Sequence, residues 1–267
     1  MRVATYNIHG CVGLDRRRRP ERIAEVLKSL EADVIGLQEV EGRKSRSKID
    51  QAEHLAARLG LNLVEGPLLL EGKGAYGNAL LTPHKVLSVE RRVFERPGSQ
   101  TRGLIDAQID VSGIGPAFAE AFGPLRVLVT HLEVRDHRVR STQMREIKQL
   151  IDDGPPGPTI LLGDLNEWWH RRLALRSLDR SVHFLHSPAT FPARLPLLRL
   201  DRIGVRGLKS TDHDNRAHRV ENRLTRIASD HLPLVADLEP HRNGSAAAND
   251  DQARFSSSRD SMPLVRQ

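Results

Sequence analysis

The sequence predicts a layered α/β protein, and three observations carry that prediction. Apolar runs of strand length alternate with stretches whose apolar residues recur at helical spacing. One strand, Asp33 to Glu39, is nearly continuous in apolar residues, as a strand covered on both faces requires. Polar residues gather where strands end, which is where such proteins keep their sites.

Arg2 to Ile8, rich in Val, Thr, Tyr and Ile, reads as the first strand and delivers Asn7 and His9 to its C-terminal end. Asn7 there is either a turn residue or a functional one. Arg16 to Arg19 form a basic run, read as a solvated loop, before Pro20, which suits the first turn of a helix. Ile23, Val26, Leu27 and Leu30 then follow on one helical face. The Asp33 strand ends in Gln38 and Glu39, and a carboxylate buried there without a partner is costly. Ile49, Ala52, Leu55, Ala56 and Leu59 mark a second helix stopped by Gly60, with His54 at its surface or boundary.

Gly77 to Thr82 reads as a strand that opens with Asn78. Val86 to Phe94 and Gly103 to Val111 suit an antiparallel pair, with Arg102 at the start of the second, where it can contact phosphate or pair with an acid. Gly113 to Pro124 is rich in Gly, Pro and Ala and reads as a variable loop. Arg126 to His131 is a strand ending in His131, and Val139 to Ile151 a helix broken by Gly154-Pro155-Pro156-Gly157.

The stretch Thr159 to His170 organises the chain: Ile160-Leu161-Leu162 is a buried strand that stops at Gly163, with Asp164 and Asn166 at its mouth. If extended geometry persists, those two side chains face one volume; the alternative is an ordinary turn, built from turn residues. A helix is expected from Trp169 to about Leu178, and the two tryptophans either flank a cleft or pack between layers. Leu197 to Val205 reads as a strand with Asp201 in its middle, where a carboxylate needs a solvent face or a partner. Ser229-Asp230-His231 precedes the last strand, Leu234 to Leu238. Residues 1–240 are therefore expected to form one domain, and 241–267, without periodicity, a disordered tail.

The net charge is +7; the last 27 residues carry four Arg and three Asp, so +6 stays on the body, which suits an anionic partner. A single cysteine, Cys11, excludes an intramolecular disulfide and a multi-cysteine zinc site. No apolar run approaches the ~20 residues of a spanning helix and no signal-peptide core opens the chain, so a cytoplasmic protein is expected. Aromatics are only 4% of residues, too few for the interleaved stacking platforms of single-strand binders.

Collected, the strand-end residues are Asn7, Glu39, Asn78, His131, Asp164, Asn166, Asp201, Asp230 and His231. Oxygen ligands dominate, which suits Mg²⁺ or Mn²⁺ better than zinc. The motifs Thr5-Tyr6-Asn7-Ile8-His9-Gly10, Leu37-Gln38-Glu39-Val40, Gly77-Asn78-Ala79-Leu80-Leu81, Thr130-His131-Leu132, Gly163-Asp164-Leu165-Asn166, Leu200-Asp201-Arg202-Ile203 and Ser229-Asp230-His231 together resemble the endonuclease/exonuclease/phosphatase superfamily of DNase-I-like, metal-dependent phosphohydrolases.

The resemblance implies a four-layer α/β/β/α sandwich, two mixed β-sheets packed face to face with helices outside. It implies Glu39 as the principal metal ligand with Asn7 beside it and Asp230 close to the metal. Asp164 would orient or deprotonate the attacking water, Asn166 hold a phosphoryl oxygen, His231 act on the phosphate under the orientation of Asp201, and His131 contact the phosphate; Asn78 and Arg102 are substrate-side candidates. His9 and His131 depart from the apurinic repair members, which carry Asp and Tyr there, and look more like the phosphodiesterase, sphingomyelinase and DNase-I-like branches. Thr190-Phe191-Pro192 and Pro196 to Arg202 resemble an uncharacterised bacterial group related to members associated with membrane lipids. The expected activity is a phosphodiesterase on a phospholipid-like or nucleic-acid phosphodiester, with peripheral membrane contact and no obligate protein partner. The alternatives are a DNA or RNA nuclease and a catalytically silent scaffold, the latter predicting loss of Glu39, Asp164 or His231; all three are present.

Overall fold

The computed structural model describes residues 1–71, 74–121, 123–169 and 173–241; the expected disordered tail, apart from His241, lies outside them. In chain order the elements are β1 (Arg2–Asn7), α1 (Pro20–Leu30), β2 (Val34–Glu41), α2 (Gln51–Leu59), β3 (Asn62–Glu71), β4 (Gly74–Thr82), β5 (Val86–Phe94), β6 (Arg102–Ile109), α3 (Pro116–Ala121) and β7 (Leu125–His131). They continue with α4 (His137–Asp152), β8 (Thr159–Asp164), α5 (Leu173–Leu178), β9 (His183–Phe184), β10 (Asp201–Arg206), β11 (Leu208–Ser210), β12 (His218–Arg219), α6 (Thr225–Ala228) and β13 (Leu234–Pro240).

The strands form two mixed sheets. The first has seven strands in the order β11-β13-β1-β2-β4-β3, with β12 also on β13; the second has six, in the order β5-β6-β7-β8-β10-β9. The parallel pairs β1–β2 and β7–β8 each enclose a crossover helix, α1 and α4, and the other pairs are antiparallel. Strand period two then divides the core into three apolar layers. Val3, Val34, Leu80, Val127, Val129, Ile160, Leu162 and Ile203 meet between the sheets. Ala4, Tyr6, Ile35 and Leu37 face α1 and α2 through Ile23, Leu27 and Leu55. Leu128 and Leu161 face α4 and α5 through Met144, Ile147 and Leu178. Gly36 lets the sheets approach: a Cβ there would stand 3.0 Å from Leu162 Cβ and 3.2 Å from Val129 Cγ1. The result is the expected α/β/β/α sandwich.

Asp50 and Asp136 accept hydrogen bonds from the first free N–H groups of α2 and α4, and Gly60 closes α2 in the left-handed conformation. Residues 62–71, which carry no clear sequence signal, form β3. Two expectations are corrected. The stretch read as a variable loop contains α3, which inserts Phe118 into the layer between the sheets. The last strand of the second sheet starts at Asp201 rather than Leu197; Phe191 and Leu198 instead form a bridge within an irregular loop.

Candidate active site

Strand alternation brings the key side chains together. Val3, Val127, Val129, Ile160, Leu162, Ile203 and Val205 line the layer between the sheets. Asn7, His131, Asp164 and Asp201 occupy the same faces at one end, since each lies an even number of residues from one of these positions. Register completes the convergence, because His131 and Asp201 both pair with Asp164 across neighbouring strands.

Glu39 reaches this volume by another route. Alternation from Leu37 would turn Glu39 toward α1 and α2. Between Leu37–Ala79 and Val40–Gly77 the register shifts, so that Gln38 and Glu39 oppose Asn78 alone in a β-bulge. Glu39 takes up a left-handed backbone, φ 58°, which costs a non-glycine residue energy. Its Oε1 accepts a hydrogen bond from Asn7 Nδ2 at 3.1 Å, and the same nitrogen donates to Asp164 Oδ2 at 3.1 Å.

Two histidines address Asp164 from opposite electrostatic states. Arg102 Nη1 lies 3.0 Å from His131 Nδ1. Burial, with the charges of Arg102 and His231, holds His131 well below the usual histidine range, so it is neutral. Burial also opposes charge on His231, but Asp201 and Asp164 overcome it and raise its pKa to about 10. Its Nδ1 donates to Asp201 Oδ2 at 2.8 Å, and Thr190 Oγ1 donates to the same oxygen at 2.5 Å. Phe191 packs on the His231 ring with centroids 4.8 Å apart. The Nε2 atoms of His131 and His231 each stand 3.6 Å from Asp164 Oδ2. Burial is the main cause that lifts the Asp164 carboxyl to about 6 against the pull of His231, a value suited to a general base.

Asp164, Asp201 and His231 also bring ligand-type atoms within 4.8 Å of one another. That trio is a poor cation seat: Asp201 Oδ2 already accepts two hydrogen bonds, and a protonated imidazole has no lone pair to give. The Glu39 carboxylate, 25% exposed with the Asn7 side chain beside it, fits a hard divalent cation better, and Asp230, 31% exposed, offers a further oxygen next to Ser229, whose hydroxyl donates to Asn7 O. Asp230 Oδ1 accepts from Ser229 Oγ at 3.3 Å and faces His9 Nδ1 at 3.7 Å.

Asn166 does not share the Asp164 volume through continued extension. It is left-handed, φ 52°; its N–H donates to Asp164 Oδ1 at 3.0 Å and its Nδ2 to Leu132 O at 3.0 Å, so it braces the β7 and β8 ends. Asn78 Nδ2 donates to Gly103 O, leaving Oδ1 buried without a partner. Arg102 is buried against His131 and Gln100 rather than an acid. Arg18, from the run read as solvated, reaches the cleft and donates to Gly10 O at 2.6 Å. Cys11 is buried in the core, its thiol pushed up by that burial to about 12. Trp168 and Trp169 do not pack between layers; both are exposed. Thr190, Phe191 and Ser229 also belong to the site, although in the sequence Thr190-Phe191-Pro192 stands out only as a motif.

Cavities of about 620 and 430 Å³ share Glu39, Tyr76 and Arg102 in their walls, the first lined also by Arg18, Arg43 and Arg46, the second by Glu133, Arg135 and Asp136. A separate groove of about 520 Å³ between β5, β6 and α4 contains none of the strand-end residues, and its Arg126 is paired with Asp106.

The two-sheet sandwich with this strand-end cluster defines a DNase-I-like α/β protein. The chain belongs to the endonuclease/exonuclease/phosphatase family, whose model matches residues 4–231, and thus to a superfamily of metal-dependent phosphohydrolases. The uncharacterised protein YbhP of Escherichia coli (strain K12) is 28% identical over 253 residues, covering 89% of this chain and 95% of YbhP. The solved structure of D. rerio TDP2 with single-strand DNA product matches with a TM-score of 0.68 at 21% identity, over 90% of this chain and 98% of that one. The Bacteroides thetaiotaomicron mannosyl-6-phosphatase Bt3783 matches with a TM-score of 0.64 at 16% identity, over 89% and 99%. At such identities these two structures share the fold.

Proposed function

We propose that this protein is a divalent-metal-dependent phosphodiesterase. The observation that carries the reading is that Glu39 lines two cavities, one walled by Arg18, Arg43 and Arg46 and the other by Glu133 and Arg135, which leave space beside it for both substituents of a diester. A bound Mg²⁺ or Mn²⁺, held by Glu39 with Asn7 and Asp230, would neutralise charge on the phosphate. Asp164 takes a proton from the attacking water as the new P–O bond forms, and the ester P–O bond on the opposite side breaks, its electron pair leaving with the departing oxygen, which takes a proton from solvent. His131 and His231 donate their Nε2–H groups to non-bridging oxygens, and Asp201 keeps the His231 imidazolium in place. Asn166 acts by holding Asp164.

The test is hydrolysis of bis(p-nitrophenyl) phosphate and of the p-nitrophenyl monoester by wild type and Glu39→Ala, with Mg²⁺, Mn²⁺ and EDTA. Metal-dependent cleavage of the diester, lost in the variant, is expected; preference for the monoester would overturn the reading. A nuclease is the second reading, favoured by the arginine wall of the larger cavity and by the DNA bound in the TDP2 structure. It predicts cleavage of plasmid DNA with affinity that falls steeply as salt rises.

A further inference from the structure

The end of the sandwich that carries the site also carries large apolar side chains in water. β7 and β8 are parallel and β10 is antiparallel to β8, so the loops after β7, after β8 and before β10 leave from one edge of the second sheet. They bear, in turn, Val134; Trp168 and Trp169; and Leu195 and Leu197. The tryptophans are 52% and 55% exposed, and the two leucines 65% and 68%. The loop with the leucines lies over the site: its Phe191 packs on His231, and Ala193 N–H donates to Asp230 O at 2.6 Å. Single exposed apolar residues are ordinary, but several gathered at the mouth of a site mark an interaction surface.

Charge complements the apolar rim. Arg135, Arg194 and Arg199 are exposed on the loops after β7 and before β10, Arg138 is exposed in the first turn of α4, and among the described residues their side chains make no ion pair. We propose that this rim docks on an anionic lipid surface and presents a membrane-borne phosphodiester to the cleft. The inference rests on the phosphodiesterase reading for its chemistry, but not for the docking. Leucine and valine offer no π-face on which a nucleic-acid base could stack, and they gain only by leaving water for an apolar medium. Tryptophan favours the headgroup level, and arginine the anionic headgroups.

The rim contains its own probe, because Trp168 and Trp169 are the only tryptophans in the chain. The full chain is titrated with vesicles of phosphatidylcholine alone, of phosphatidylcholine mixed with phosphatidylglycerol, and of the same mixture with brominated acyl chains. A blue shift and bromine quenching on the anionic vesicles are expected. Leu195→Glu combined with Leu197→Glu should weaken vesicle partition by roughly tenfold or more while turnover of soluble bis(p-nitrophenyl) phosphate is unchanged. Unaltered emission with anionic vesicles overturns the proposal, as does a shift produced by a single-stranded oligonucleotide and not by vesicles. Vesicle binding by a protein that hydrolyses no phosphodiester supports the docking and counts only against the phosphodiesterase reading.

Discussion

Arg102 Nη1 lies 3.0 Å from His131 Nδ1, and this contact sets the tautomer of the histidine. A guanidinium has only protons to give, so Nδ1 must be an acceptor and the ring proton must sit on Nε2, facing Asp164. Arg102 also repels a second proton. Replacement by Leu removes both constraints. Arg102→Leu should let His131 populate both tautomers, raise its pKa while burial still holds it below the ordinary histidine range, and lower phosphodiester turnover by roughly 10²-fold. Imidazole ¹⁵N spectra read the tautomer directly; an Nε2–H ring that persists in the variant would remove Arg102 from this role.

Glu39 combines the carboxylate proposed to hold the metal with a backbone that its own Cβ disfavours. At φ 58° glycine is at ease, whereas alanine keeps the strain and loses the carboxylate. In metal-free protein Glu39→Gly should therefore be more stable than Glu39→Ala by about 1 kcal/mol in urea unfolding. Both variants should lose the rise in Tm that Mg²⁺ gives wild type through preferential binding to the folded state. An undiminished Mg²⁺ shift in both would move the cation seat elsewhere.

The raised pKa of buried Asp164 makes a stability prediction with a definite sign. Its folded value of about 6 stands above the ordinary 3.8, so its contribution is fully present below pH 3.8 and is lost as pH rises through about 6. His231, raised from 6.5 to about 10, gives stability that is lost as pH rises through about 10. Above pH 6 the ionised Asp164 is thus a burden to the fold. Asp164→Asn should be inactive yet more stable than wild type at pH 7.5–8, by on the order of 1–3 kcal/mol, with a flatter stability profile between about pH 4 and 6. Thermal denaturation of the metal-free proteins across that range decides it, and a lower Tm for the variant at pH 8 contradicts the argument.

Legibility in the sequence followed periodicity. Asn7, His131 and Asp164 could be placed because each closes a short apolar run, and period two carries the direction of the strand to its last side chain. Glu39 was visible as a strand-end acid, but the bulge that turns it inward depends on its pairing with Asn78, far along the chain, and leaves no local pattern. Leu197, Leu198 and Leu200 extend the apolar run of β10 backwards, so composition alone placed Asp201 in mid-strand. β3 contains Gly66 and Pro67, which interrupt the strand signal, and its pairing with β4 overrides them. Thr190 and Phe191 lie in irregular chain, where no period links a side chain to a direction.

Thr190 offers the sharpest test of what the sequence left unseen. Its hydroxyl donates to Asp201 Oδ2 at 2.5 Å, on the same oxygen that receives the His231 proton. Asp201 is fully buried, and its Oδ1 has no partner among the described residues, so the hydroxyl is one of only two donors that stabilise its charge. Valine preserves the shape and removes the donor. With that bond gone the Asp201 carboxylate is less well stabilised and less firmly held, and both changes loosen the His231 ring. Thr190→Val should therefore lower kcat roughly tenfold with little change in KM, and shift the alkaline limb of the pH–rate profile. Thr190→Ser, which restores the donor, should recover most of the rate. A purely structural role would lower Tm in Thr190→Val without moving the pH profile, and serine would rescue neither the rate nor the profile.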